Sequence, residues 1–202
     1  MKKLEREFYL TDGISLAKAL IGKVLVHETE EGLTSGIIVE TEAYMGADDA
    51  AAHSYKNKGK DGRTNIQYRL GGFAYIYLIY GMYNCVNVTA NIEGKPEAVL
   101  IRALEPLSGL DVMARRRKTD KPAAFCSGPG KLCRALNITR EQYGLDLCGN
   151  KLYIEDSEDK NFTVSSSRRV NIDYAGEAAL YPWRFYIEGN KFVSKVPKTE
   201  GV

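Results

Sequence analysis

Histidine is scarce in this chain: His27 and His53 are the only two in 202 residues. The four cysteines (85, 126, 133 and 148) contain no Cys-x-x-Cys spacing. A zinc site is therefore poorly supported, and buried reduced thiols in an intracellular protein are the expected reading, with no metal and no organic cofactor. No apolar run approaches the roughly 20 residues needed to cross a bilayer, which argues against a membrane protein. The N-terminus, Met1-Lys-Lys-Leu-Glu-Arg-Glu-Phe8, is basic but has no apolar core segment, so no signal peptide and no secretion are expected. Net charge is also small, at +2, too little to indicate nucleic acid by itself. What remains is ordinary for a soluble globular domain: 44% hydrophobic and 27% charged residues. The length suits one domain spanning residues 1–202.

The distribution of charge says more than its sum. Residues 102–140 hold nine Lys/Arg against three acids, whereas residues 141–167 hold six acids (141, 146, 155, 156, 158, 159) and two lysines (151, 160). A basic face on a nearly neutral protein suits a polyanion site, and charge alone leaves a solvated helix face equally open.

Turn and capping signals place the elements. Thr11/Asp12 can cap a helix over 14–21, closed by Gly22. Residues 24–27 and 34–44 read as strands joined at Glu31-Gly32, 73–80 and 83–90 as a hairpin meeting at Gly81-Met82, and 98–104 as a further apolar strand. Residues 46–72 are polar and read as a long surface loop. Ser108-Gly-Leu-Asp111 resembles a capping box for a helix through the Arg115–Lys118 cluster, Pro129 opens another through Leu136, and Thr139-Arg-Glu-Gln142 is a second capping box. Strands are then expected at 151–155, 162–165, 169–174 and 183–188. Strands in blocks, without strict alternation with helices, predict an α+β fold: one mixed domain with a curved, largely antiparallel sheet, flanking helices and a protruding hairpin.

Residues 37–45, Ile-Ile-Val-Glu-Thr-Glu-Ala-Tyr-Met, place two carboxylates at the end of an apolar strand. Residues two apart share a strand face, so Glu40, Glu42 and Tyr44 should project together. Three readings are open. The pair is structural, bonded to arginine; or it is a glycosidase pair; or one carboxylate activates a water that the other supports. Carboxylates only ~7 Å apart on one strand face approach a substrate from the same side, which argues against the second reading. Tyr75 and Tyr77 share one face of the hairpin, where core packing is the usual role. At its tip, Tyr80-Gly81-Met82-Tyr83 carries large side chains that a turn cannot easily bury, as in wedges inserted between DNA base steps. Ser127-Gly-Pro-Gly-Lys131 lacks the Gly-x4-Gly-Lys-Ser/Thr spacing of nucleotide hydrolases, yet such a turn offers N–H donors to a phosphate.

Together, Ile38-Val-Glu-Thr-Glu-Ala-Tyr-Met-Gly46, Ala51-Ala-His53-Ser54, Tyr75 to Asn87, Val99-Leu-Ile-Arg-Ala-Leu-Glu-Pro106, Gly128-Pro-Gly-Lys-Leu-Cys133 and Tyr174-Ala-Gly-Glu177 resemble the alkyladenine (3-methyladenine) DNA glycosylase family. The resemblance implies an enzyme of base-excision repair that flips a damaged purine out of duplex DNA, approached from the minor groove. It hydrolyses the N-glycosidic bond and leaves an abasic site, as a monomer and without cofactor. It assigns Glu42 as general base and Arg102 as a holder of the attacking water. Tyr44, His53 and Tyr77 become pocket walls, and Asn87 the side chain that disfavours guanine. Tyr80 is the residue inserted into the duplex, with Met82 beside it, and Gly128, Gly130 and Lys131 meet the DNA backbone. An intracellular place of action, cytoplasmic or on the nucleoid in a prokaryote, follows. Residues 54–69 depart from the family pattern, and no individual contact is carried over there. A non-catalytic nucleic-acid-binding module is the alternative, and a glycosidase of free nucleosides a weaker third.

Overall fold

The computed structural model describes residues 2–157 and 161–194. Eight strands form one sheet: β1 (Val24–Thr29), β2 (Gly32–Tyr44), β3 (Ala74–Ile79), β4 (Tyr83–Ala90), β5 (Glu97–Ser108), β6 (Leu152–Glu155), β7 (Val164–Ser167) and β8 (Arg184–Ile187). Their order is β3-β4-β5-β2-β1-β6, with β8 paired to both β2 and β7, and every pairing is antiparallel. The expected α+β class with an antiparallel sheet is what the structure has.

β2 organises the whole. Along one edge it pairs with β5; along the other, its first half pairs with β1 and Glu40–Glu42 pair with β8. Its register against β5 shifts between Ile38 and Glu40 and again between Glu40 and Thr41, so Val39 and Arg102 stand opposite no partner. Bulges of this kind bend a strand and increase its twist. This one bends the sheet where the carboxylates and the arginine sit.

Beyond the bulge, alternation is clean. Val39, Thr41 and Ala43 are buried on the side of α2 (Gly13–Leu20), whose N-terminus is capped by Asp12, and Thr41 Oγ1 donates to the Ala17 carbonyl at 2.9 Å. The core runs from Leu16 and Leu20 through Ile101, Leu104 and Val88 to α3 (Leu110–Arg117) and α4 (Pro129–Ala135), contributing Met113, Leu132 and Leu136. The Thr139 capping box is present on the 3-10 turn Arg140–Gln142.

Several expectations are corrected. Ser108–Asp111 is no capping box: Gly109 occupies the N-cap at φ 73°, and the Asp111 carboxylate instead accepts from Arg115 at 3.0 Å. Residues 46–72 are not a surface loop throughout. Three 3-10 turns fold them back, burying Ala51, Ser54, Thr64, Ile66 and Gln67, and the longest exposed run is 56–63. Residues 169–174 are not a strand, because Arg169 turns inward to an ion pair and the chain passes into the 3-10 segment Asp173–Leu180. Acids 158 and 159 and Lys160 of the acidic stretch lie outside the described residues.

Candidate active site

Glu40 and Glu42 share a face of β2 and are both fully buried. Arg102 reaches both, with Nε 2.8 Å from Glu40 Oε1 and Nη1 3.3 Å from Glu42 Oε1. Their environments then diverge. Glu40 accepts four bonds: from Arg102 Nε, Arg184 Nε (2.7 Å) and Ser194 Oγ (2.9 Å) on Oε1, and from the Ser194 N–H (2.7 Å) on Oε2. A carboxylate offers about two lone-pair sites on each oxygen, so three donors crowd Glu40 Oε1 while Oε2 accepts one. Burial pushes its carboxyl upward, but Arg102, Arg184 and Ser194 together hold it below the usual carboxylate range. Glu42 accepts only two hydrogen bonds among the described residues. Its Oε1 accepts from the Val170 N–H at 2.7 Å and faces Arg102, while Oε2 accepts from the Tyr44 hydroxyl at 2.8 Å.

Asp49 and Arg169 complete the buried charge. Arg169 bonds both Asp49 oxygens, and also donates to the Ala43 and Ala178 carbonyls at 2.9 and 3.1 Å. Glu40, Glu42, Asp49, Arg102, Arg169 and Arg184 are all less than a tenth exposed. With three of each sign the set is neutral, which is what makes burying six charges tolerable. The Arg169 guanidinium lies 4.8 Å from the Tyr44 ring and 5.0 Å from Trp183. Arg169 thus holds Tyr44 from behind, and its neighbour Val170 holds Glu42.

A cleft of about 860 Å³ opens over this cluster, with Tyr44, His53, Tyr75, Tyr77, Asn87 and Arg102 on its walls. The residues expected to form the pocket are therefore brought together. Glu42 does not line the cleft itself; its partners Tyr44, Arg102 and Val170 do, so the carboxylate lies one layer beneath the wall. The His53 ring stands edge-on to Tyr77 at 4.5 Å, and its Nδ1 is 2.8 Å from the Tyr75 hydroxyl. Burial, then the charge of Arg63, pushes His53 down to about 4, so the ring is neutral at physiological pH. Burial, then Glu42, holds the Tyr44 phenol well above its ordinary range, keeping it a donor. Asn87 donates through Nδ2 to the Tyr75 and Cys85 carbonyls at 3.0 and 3.5 Å, which fixes its amide plane against the cleft.

The hairpin tip sits at one end of the cleft. Tyr80 and Gly81 both have positive φ, 52° and 68°, the pattern of a type I′ turn. A tyrosine is uncommon in that region, and such strain persists where it serves a purpose. Here it presents Tyr80, Met82 and Tyr83 to solvent, at 74, 66 and 50% exposure. Beside them run Gly128, Gly130 and Lys131, with Arg117 and Arg134, along the same cleft. Gly128 adopts φ 151° and ψ 150°, open essentially to glycine alone. A side chain at Gly130 would meet Tyr83 Cβ at 3.0 Å, so glycine lets α4 approach the hairpin. Lys131 Nζ lies 3.4 Å from Ser127 Oγ.

Residue-level reading missed Asp49, Arg169, Val170, Arg184, Ser194 and Gln67. Arg184 carried a signal, a charge inside the strand-like run Trp183-Arg-Phe-Tyr-Ile187; the others had none locally. Among the described residues no group of three or more His, Cys, Asp or Glu is placed to hold a metal, and all four cysteines are free. No described helix is long and apolar enough to cross a membrane.

Comparison with known proteins gives the family of the chain. The family described as methylpurine-DNA glycosylase (MPG) matches residues 7–191. A protein of Desulfitobacterium hafniense strain Y51, named as a candidate 3-methyladenine DNA glycosylase, is 47% identical across 96% of this chain and 99% of its own. Two clostridial proteins named in the same way, from Clostridium acetobutylicum and Clostridium novyi strain NT, are 50% and 48% identical, covering 97% and 96% of this chain and 99% and 100% of their own. The chain belongs to the methylpurine-DNA glycosylase family.

Proposed function

We propose that this protein is a monofunctional DNA glycosylase that flips alkylated or deaminated purines out of duplex DNA and hydrolyses the glycosidic bond with a water activated by Glu42. The observation that carries this reading is the unequal satisfaction of the two carboxylates. Glu40 accepts four hydrogen bonds, two of them from arginines, whereas Glu42 accepts two, from Val170 and Tyr44 on the cleft wall, and its Oε2 keeps a lone pair for the proton of a water.

Glu40 is then the anchor that aims Arg102, and Arg102 holds the water against Glu42. Entry runs between Tyr44, Arg102 and Val170, the three groups separating Glu42 from the cleft. The Glu42 anion also stabilises positive charge developing on the sugar. Tyr44, His53 and Tyr77 stack on the extruded base, a contact of roughly 1–3 kcal/mol per base in single-strand binders. Neutral His53 suits an electron-deficient alkylated purine, which a cationic imidazole would repel. Tyr80, with Met82, fills the gap left in the stack from the minor-groove side, and Gly128, Gly130 and Lys131 meet the backbone. The reading needs no second copy of the chain and no cofactor, and it places the enzyme inside the cell.

Incubation with methylated duplex DNA should release free methylpurine and leave sites that break only under alkali. Release of no base would refute the reading. The cleft wall includes one amine, Lys131, so borohydride added during turnover tests the hydrolytic step: a trapped protein–DNA adduct would replace water by a covalent route. The depth of Glu42 beneath the wall favours the second reading, a non-catalytic DNA-binding module; tight binding to damaged duplex without base release is its signature.

A further inference from the structure

Gln67 is 3% exposed and lines the cleft, yet its side-chain amide has no hydrogen-bond partner among the described residues. Its position is built. The 3-10 turn Asn65–Tyr68 packs on β4 and β5, the Gln67 N–H donates to the Thr64 carbonyl at 2.9 Å, and the Ile66 N–H donates to the Tyr143 hydroxyl at 3.4 Å. The Tyr143 ring in turn stands edge-on to Tyr75, 6.3 Å away, behind the aromatic wall. The Gln67 amide is not among the buried unpaired groups, so it faces the cleft with donor and acceptor both available, and a ligand that covered it without pairing it would bind at a cost. Asn87, also on the wall, has its nitrogen committed to backbone carbonyls, so Gln67 alone of these two keeps donor and acceptor both free.

We propose that Gln67 is a specificity residue that reads the six- and seven-position edge of the extruded purine and favours adenine-derived lesions over 7-methylguanine. The inference rests on the glycosylase reading above. A glutamine amide matches adenine bidentately, its carbonyl accepting from the N6 amine and its NH₂ donating to N7. 3-Methyladenine keeps both groups. 7-Methylguanine keeps neither: position six is a carbonyl acceptor, and N7 carries the methyl group, so the Gln67 carbonyl faces no donor. Sites built to hydrogen-bond a substrate discriminate strongly against analogues that leave a buried group unpaired.

Duplex DNA treated with a methylating agent contains both lesions, so one tube compares them. Free 3-methyladenine and 7-methylguanine are separated chromatographically under single-turnover conditions. Gln67→Met, similar in volume and without the amide, should lower 3-methyladenine release roughly 5- to 150-fold while 7-methylguanine release stays within about twofold. Gln67→Glu keeps the shape and the acceptor but repels N7; it should fall between parent and Gln67→Met, and it carries the test if the methionine variant fails to fold. Equal loss of both bases, or loss of neither, in a variant with the parental unfolding midpoint would overturn the assignment of Gln67 while leaving the glycosylase intact. A parent that releases neither base would instead remove the reading on which it rests.

Discussion

Replacing Glu42 by glutamine separates chemistry from architecture. With the amide oxygen in the Oε1 position, the Val170 N–H at 2.7 Å and Arg102 at 3.3 Å keep an acceptor. The amide nitrogen then meets the Tyr44 oxygen at the 2.8 Å now held by a carboxylate. What is lost is the negative charge and the Oε2 acceptor site open to water. Removing that charge leaves Glu40 alone facing Arg102 and Arg184, and a hydrogen bond to a charged group is worth about 1.5–3 kcal/mol. For a chain of this size each kcal/mol shifts Tm by about 2–4 °C, so a fall of roughly 3–12 °C is expected in a protein that still folds. General-base catalysis contributes about 10²–10⁴-fold, or roughly 3–5 kcal/mol of barrier. Single-turnover excision well below the variant's Tm should therefore fall by that factor while binding to abasic-site DNA persists. Glu40→Gln is the counterpart: it disturbs four hydrogen bonds instead of two, so it should cost more stability and less chemistry. Excision by folded Glu42→Gln within a few-fold of the parent would remove Glu42 from its role.

Arg169→Met leaves Asp49 buried without its partner, a loss of about 3–5 kcal/mol, and the double variant with Asp49→Asn should recover part of it in thermal unfolding; additive losses would mean that the pair is not coupled. Tyr80→Ala should weaken excision of many lesions alike, because Tyr80 faces the duplex gap, whereas Asn87→Ser should raise excision of guanine relative to ethenoadenine; matching lesion profiles for the two would refute the division of labour. His53 sits near 4 when folded against an ordinary 6.5, so the unfolded chain binds more protons between those values, and stability should fall with pH from about 6.5 to 4, by up to about 3 kcal/mol from this group. Glu40, held low, adds a loss at the acid end of the same window, and a His53→Phe variant measured by denaturant unfolding should show a shallower slope between pH 6.5 and 5.

How much of this was legible depended on whether a contact had a local sequence signature. The period of two in β2 put Glu40, Glu42 and Tyr44 on one face, and the structure bonds them there through Arg102 and the Tyr44 hydroxyl. The Asp12 cap and the Thr139 box bind their own backbone a few residues on, so they too could be read directly. Ser108–Asp111 matched the same spacing and failed, because the Gly109 turn made against β2 occupies the cap position. Long-range charge pairing has no spacing at all. Yet buried charges must balance, and that requirement could have been applied to the sequence: two acids in an apolar strand call for arginines in equally apolar surroundings. Arg102, inside Val99-Leu-Ile-Arg-Ala-Leu104, and Arg184, before Phe185-Tyr-Ile187, satisfy it, and both bond Glu40. Arg169 follows Ser165-Ser-Ser-Arg168, a polar stretch indistinguishable from surface, and its partner lies 120 positions away. Its inward turn also brings the Val170 amide onto Glu42, so the element with the weakest sequence signal is the one that separates the two carboxylates.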